Sequence, residues 1–362
     1  MLYDYLQVLA AFIFTITIVV FIHEFGHYIV AKLCGVKVTD FSIGFGPEII
    51  SRKDSSGTKW KICCIPLGGY VKFLGDQDAA SSSANTALSD EEREFSFHNK
   101  NLIKKALIVL AGPMANFLLG IVIFAYFFAT YGTFVSDTTI KDILPQSAAQ
   151  RARLEPGDKI IAIDGEAITN FQDLAAYIAI HPGIKIKLTI ERNGKHIIEE
   201  ATPDSIEIKD KLGASSSIGK LGITFVEPKH QDLSFSQSIL TSLKETYKIS
   251  NLTLKGIGQI FTGKRTTKEL SGPIKIARYA GVSMKEGAMS MFYFISLISI
   301  NLGLVNLLPI PLLDGGHLFF YCIEWIFGKT VSDYAQKYLL KVGFIILLGL
   351  MALALFNDIV YF

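Results

Sequence analysis

A polytopic α-helical membrane protein, with four transmembrane helices, a β-hairpin region beside the membrane and one inserted α+β module, is the fold class this sequence predicts. Three observations carry it. Hydrophobic residues make up 50% of the 362 positions and charged ones only 19%, with a mean hydropathy of +0.38, too apolar for a water-soluble chain of this length. Four stretches, 5–31, 102–131, 289–313 and 338–357, approach or exceed the ~20 apolar residues that a helix needs to cross a bilayer. Between the second and third, short alternating segments separated by turn residues mark a compact module of another kind.

Taken in order, residues 1–33 form the first span. The opening MLYDYLQ has no basic segment and the apolar run after it is too long for a cleaved leader, so the span is expected to stay. Residues 34–101 follow. In FSIGFGP (41–47) and TKWKICCIPLGGYVKFLGD (58–76), apolar and polar residues alternate between glycines, which predicts short strands and hairpins close to the membrane. QDAASSSANTALSDEERE (77–94) has the composition of a flexible loop. The second span covers 102–131.

Residues 135–227 predict the α+β module: strand-like KIIAI and KIKLTIERNGKHIIEEA, the latter with an Asn193-Gly194 hairpin turn, and helix-like NFQDLAAYIAIH. In 234–287, Ile239, Leu240, Leu243, Tyr247 and Leu254 recur at near-helical spacing among lysines and glutamates, the pattern of an amphipathic helix lying on a membrane surface or of a packed connector. The third span, 289–317, ends in NLLPIPLLDGGH, and the fourth covers 338–357.

Eleven Lys and Arg fall between Lys32 and Lys105, whereas the chain ends outside the spans carry none. By the positive-inside bias that segment is cytoplasmic and both termini lie outside. The net charge of +2 gives no basis for nucleic-acid binding. Cys34, Cys63, Cys64 and Cys322 have neither zinc-knuckle nor redox spacing and read as free thiols.

Two histidines and a glutamate sit at the end of the first span, in FIHEFGHYIV (21–30). His23 and His27, four apart, share one helix face, and Glu24 lies beside them. This H-E-x-x-H spacing suits two imidazole ligands to zinc and a carboxylate that takes a proton from water. An acid in mid-membrane costs about 3 kcal/mol, so such a group needs a shared partner. A catalytic zinc takes a third protein ligand, and Asp314, the first charged residue after Glu286, is the favoured candidate over His317, Glu324 and Asp358. Asn306 points to the same region, as an amide able to hold substrate or stabilise an oxyanion. Pro309 and Pro311 break the helix before Asp314, which is tolerable where the backbone lines protein or a wet cavity.

These motifs, in this order, resemble the site-2-type intramembrane metalloproteases, in particular the bacterial regulator-of-sigma-E protease branch. HEFGH (23–27), GFGP (44–47), PLGGYVKFLGD (66–76), AGPMANFLLG (111–120), LEPGDKIIAIDG (154–165), SGPIKIA (271–277) and NLLPIPLLDGG (306–316) carry the resemblance over nearly the whole chain. It implies that His23, His27 and Asp314 bind Zn2+, that Glu24 is the general base and that Asn306 contacts substrate. Gly44, Phe45 and Gly46 resemble the tip of a membrane-dipping hairpin that pairs with a substrate strand. The 135–227 module resembles a PDZ domain, which the family places in the periplasm against substrate tails. Implied partners are membrane lipid and transmembrane substrates such as anti-sigma factors or remnant signal peptides. The implied location is the bacterial inner membrane, with the active site near the cytoplasmic side. The chain departs from well-known members of this branch in having room for one PDZ domain rather than two, and in carrying Lys275 where SGPIGIA has a glycine.

Overall fold

The computed structural model describes residues 2–76, 88–209, 215–226, 228–329 and 331–360. In chain order its principal elements are α1 (Leu2–Leu33), β1 (Val38–Lys53), β2 (Lys59–Phe73), α2 (Leu102–Tyr131), β3 (Ile140–Ile143), β4 (Lys159–Ile163), α3 (Phe171–Ala179), β5 (Ile186–Arg192), β6 (Lys195–Ala201), β7 (Ile223–Phe225), α4 (Phe235–Phe261), α5 (Pro273–Glu286), α6 (Ala288–Asn306), α7 (Asp314–Phe327) and α8 (Asp333–Val360). They form two compact units, one of residues up to Phe124 together with Ser271–Asp358, the other centred on Ala125–Leu270. Of the loop expected at 77–94, residues 77–87 lie outside the described residues. In the remainder Ser89 caps a short helix, Asp90–Glu94, with Glu92 completing a capping box.

Four helices are long and apolar enough to cross a membrane: Asp4–Leu33, Leu102–Tyr131, Ala288–Asn306 and Tyr334–Val360, and only 6–39% of their most apolar windows is buried within the protein. Most of that apolar surface therefore faces outward, where lipid is the solvent it suits, and the chain is a multi-pass membrane protein. The third span is shorter than the expected 289–317. α6 stops at Asn306, a loop follows, and α7 restarts at Asp314. Pro309 and Pro311 forbid a continuous helix here, and Leu312 takes a φ of +86°, rare for a branched side chain.

In the first unit, close helix contacts are made possible by residues lacking a side chain. A Cβ on Gly26 would lie 2.3 Å from the Ala111 carbonyl oxygen, and one on Gly303 would lie 2.9 Å from that of Pro113, so α1 meets α2 and α2 meets α6 nearly backbone to backbone. The start of α5 is held from α8. Asp358 accepts N–H bonds from Gly272 at 2.9 Å, Ile274 at 2.9 Å and Lys275 at 3.1 Å. Asp358, a rival metal ligand on sequence grounds, is thus a helix cap supplied by another helix. At Lys275 the cap takes the backbone N–H, which a glycine would offer equally well.

β1 and β2 fold back on each other more than once. Residues 40–43 of β1 face 69–72 of β2 on one side and 59–62 on the other. GFGP lies inside β1, where Gly44 (φ +87°) and Gly46 (φ +85°) bend the strand. The turn joining β1 to β2 is built by Asp54, whose Oδ1 accepts from Ser56 N at 2.8 Å and Thr58 N at 3.0 Å. The inner face packs Val38, Phe41, Val71 and Phe73 with Phe97, Ile108 and Val109. Ile49, Ile50, Ile62 and Ile65 remain exposed.

The second unit holds the α+β module. A four-stranded antiparallel sheet places Glu166–Ala167, β4, β5 and β6 side by side, and β3 pairs with β7. Ile140, Ile160, Ile163, Leu174, Ile186 and Leu188 fill its core. Asn193 (φ +52°) and Gly194 (φ +73°) make the expected hairpin turn between β5 and β6. Lys248 and Lys255 tie α4 to Asp173 and Glu166 at 3.2 and 2.6 Å. α4 buries Ser238, Ser242 and Thr246 while exposing Phe235, Leu240, Tyr247 and Phe261, so its apolar stripe faces outward.

Candidate metal centre and active site

His23 and His27 lie one turn apart on α1, so both rings leave the helix on one side. Their Nε2 atoms are 3.2 Å apart. Asp314, the first residue of α7, does not cap its own helix; its carboxylate turns back, with Oδ2 3.1 Å from His23 Nε2 and Oδ1 3.6 Å from His27 Nε2. Gly315 and Gly316 permit this turn. A Cβ on either would strike the preceding loop, at 2.2 Å from the Leu308 oxygen or 2.5 Å from the Ile310 oxygen. Room for the rings comes from Gly112 of α2, where a Cβ would lie 2.2 Å from His27 Nε2 and 2.9 Å from His23 Cε1.

The three side chains keep only 9%, 12% and 18% of their surface exposed. Two imidazole nitrogens, borderline donors, with a harder carboxylate oxygen make a donor set of the kind zinc takes. Ligands at about 2.0–2.1 Å in a tetrahedron stand about 3.3 Å from one another, which the observed separations of 3.1–3.6 Å match. Asp314 Oδ2 is buried and makes no directed hydrogen bond, so a partner is owed at that point. The residues fit zinc. Among the described residues they are the cluster of three or more His, Cys, Asp or Glu able to hold a metal ion. His27 Nδ1 lies 2.8 Å from the Ile108 carbonyl. A carbonyl only accepts, so the ring proton sits on Nδ1 and the Nε2 lone pair faces the cluster.

A cavity of about 430 Å³ opens on this group, lined by Glu24, Phe45, Gly68, Gly69, Tyr70, Val71 and Asn306 among others. The Val71 backbone N–H faces the Glu24 carboxylate. A Cβ on Gly69 would lie 3.2 Å from Glu24 Cγ, so the strand runs directly past the acid. Asn306 Nδ2 is 3.4 Å from His23 Nε2.

Of the residues expected from sequence, His23, Glu24, His27, Asn306, Phe45 and Asp314 thus come together. Gly44 and Gly46 do not line the cavity. His317 lines it outside the three-residue cluster, and Glu324 stands near Lys105. Residues 68–71 escaped the sequence reading as site residues. The signal available was PLGGY, a double glycine in a strand, which marks close approach of another backbone.

The family model described as Peptidase family M50 matches residues 11–350. Atu1380 of Agrobacterium fabrum, whose name assigns it provisionally to the zinc metalloproteases, is 40% identical over 355 residues, covering 96% of this chain and 94% of that protein. Metalloprotease MmpA of Caulobacter vibrioides is 32% identical over 382 residues, covering 98% and 96% respectively. Among solved structures, the PDZ domain of an SdrC-like protein from Listeria innocua is 21% identical, covers 26% of this chain and 99% of that one, and has a TM-score of 0.21. With zinc-type donors converging beside a glutamate on a helix built for lipid, and with relatives matched nearly end to end, this chain belongs to peptidase family M50 and is a zinc metalloprotease.

Proposed function

We propose that the protein is an intramembrane endopeptidase that cuts the transmembrane segments of single-span proteins, of anti-sigma-factor or remnant-signal-peptide type, near the cytoplasmic face of a bacterial inner membrane. One observation carries the reading: His23, Glu24 and His27 lie on a helix of membrane-spanning composition, and together with Asp314 they border a cavity whose wall includes β2 residues 68–71. Residues 69–71 pair with 41–43 of β1 along one edge and border the cavity with the other. A substrate segment unwound from its helix finds there a strand to lie against.

His23, His27 and Asp314 would hold the zinc, which when bound supplies Lewis acidity to water and to a carbonyl oxygen. Glu24, facing the Val71 N–H, takes a proton from the attacking water and returns it to the leaving amine. The Asn306 amide, 3.4 Å from His23 Nε2, is placed to donate to a carbonyl oxygen gaining charge. Phe45 and Tyr70, stacked with centroids 6.2 Å apart, cover the strand side of the cavity and help to exclude bulk water.

The 135–227 module acts in this reading as a periplasmic PDZ domain that meets the substrate's outer tail. The outward apolar stripe of α4 rests on the lipid headgroups. Glu24→Gln in the purified, reconstituted protein is expected to stop cleavage of a model transmembrane substrate while zinc content stays at the wild-type level. Cleavage at an unchanged rate would overturn the mechanism, and cleavage restricted to soluble peptides would overturn the intramembrane substrate class.

A further inference from the structure

His23 has no backbone carbonyl of the kind that orients His27. Its Nδ1 faces the side-chain amide of Asn116, on α2, with the amide nitrogen at 3.3 Å. Asn116 is fully buried, and its Oδ1 has no hydrogen-bond partner. Its place is fixed by close contacts: the Ser299 hydroxyl donates to the Asn116 backbone oxygen at 2.9 Å, and a Cβ on Gly303 would come within 3.3 Å of Asn116 Cβ.

The arrangement has a consequence once His23 Nε2 lends its lone pair to a metal. The ring proton must then be on Nδ1, and two N–H groups cannot face each other across 3.3 Å. Exchange of the amide oxygen and nitrogen, which have nearly the same shape, presents Oδ1 to that proton. The orphaned oxygen is the only acceptor the Asn116 side chain possesses, and burial leaves no water to substitute for it.

We propose that Asn116 is a positioning residue of the metal centre, accepting the His23 Nδ1–H and thereby holding Nε2 toward the zinc. The two ligand histidines are then oriented by residues about two turns apart on the same helix, His27 by the Ile108 carbonyl and His23 by Asn116. Only the second can be removed by substitution. This inference rests on the metal-centre reading above. Loss of such an outer partner lowers metal affinity by about 10- to 100-fold in comparable sites.

The test is zinc affinity of the full-length protein in detergent, measured by competition with a chromophoric chelator. Asn116→Leu, nearly isosteric but without an acceptor, is expected to bind zinc about 10- to 100-fold more weakly than wild type. Asn116→Asp, which keeps an oxygen at that place, is expected to stay within about threefold of wild type, far from the full loss of an outer partner. Wild-type affinity in a folded Asn116→Leu overturns the proposal, as does equal weakening in both variants, which would mark a packing role.

Should Asn116→Leu not fold, the Co2+-loaded wild type decides. Both ligand imidazoles should then show hyperfine-shifted N–H lines that exchange slowly in D2O; only one slow line overturns the proposal. His23→Ala separates the two levels. If wild type holds no zinc, or His23→Ala holds as much as wild type, the metal-centre reading falls and this inference falls with it. If both behave as expected and Asn116→Leu is unchanged, this inference alone falls.

Discussion

At the scale of single residues, the centre depends as much on what is missing as on what is present. Gly112 leaves the space that both imidazoles occupy, and a Cβ there would lie 2.2 Å from His27 Nε2, a separation no relaxation of a buried helix crossing absorbs cheaply. Gly112→Ala is therefore expected to displace His27 and to lower bound zinc by at least about tenfold, the scale set by loss of one supporting contact. The check is metal content after equilibrium dialysis, with far-ultraviolet circular dichroism to show that the helices persist. The residues of H-E-x-x-H were legible because i and i+4 share a helix face. Asn116 was not, since nothing local in AGPMANFLLG links it to a histidine 93 positions earlier.

At the scale of elements, the cap between α8 and α5 is the clearest dependence. Three backbone N–H groups converge on Asp358, and Gly272 lets the carboxylate in, since a Cβ there would lie 2.5 Å from Asp358 Oδ2. Asp358→Ala leaves those donors buried and unmatched. It is expected to cost about 2 kcal/mol, read as a lower midpoint in the unfolding of the membrane unit, whereas Lys275→Ala should stay within about 0.5 kcal/mol. Both positions were visible in the sequence, one as an acid just past the last span and the other as a departure from SGPIGIA. Their relation was not, because it is made between chain segments more than 80 residues apart.

At the scale of the whole molecule, the second unit carries its own response to pH. Burial pushes the His181 imidazole below its ordinary value, more than the Tyr177 carbonyl at 2.7 Å raises it. A folded-state value below the unfolded one, near 6.5, means that the unfolded chain binds the extra proton first. The stability linked to His181 is therefore complete above about pH 6.5 and declines as the pH falls from there toward the folded-state value. His181→Gln should flatten this part of the pH dependence of the module's thermal midpoint. An unchanged slope between pH 7.5 and 5.5 would show that other groups set it.

By itself the sequence determined the solvent and the chemistry. Runs of about 20 apolar residues require lipid, two histidines and a glutamate at helical spacing require a metal and supply a base, and Asp314 stands out as the first charge after a long apolar stretch. Each of these is a local or compositional property, readable without knowing which segments meet. Only the tertiary structure decided the rest. It showed that GFGP lies inside β1, where Gly44 and Gly46 bend the strand, that residues 68–71 wall the cavity and that Asp358 serves a helix rather than a metal. It also brought Asn116 behind His23. Those facts depend on where α2, α8 and β2 cross α1 and α5, and the crossings are set by close packing at particular glycines, summed over contacts that no single stretch of chain contains.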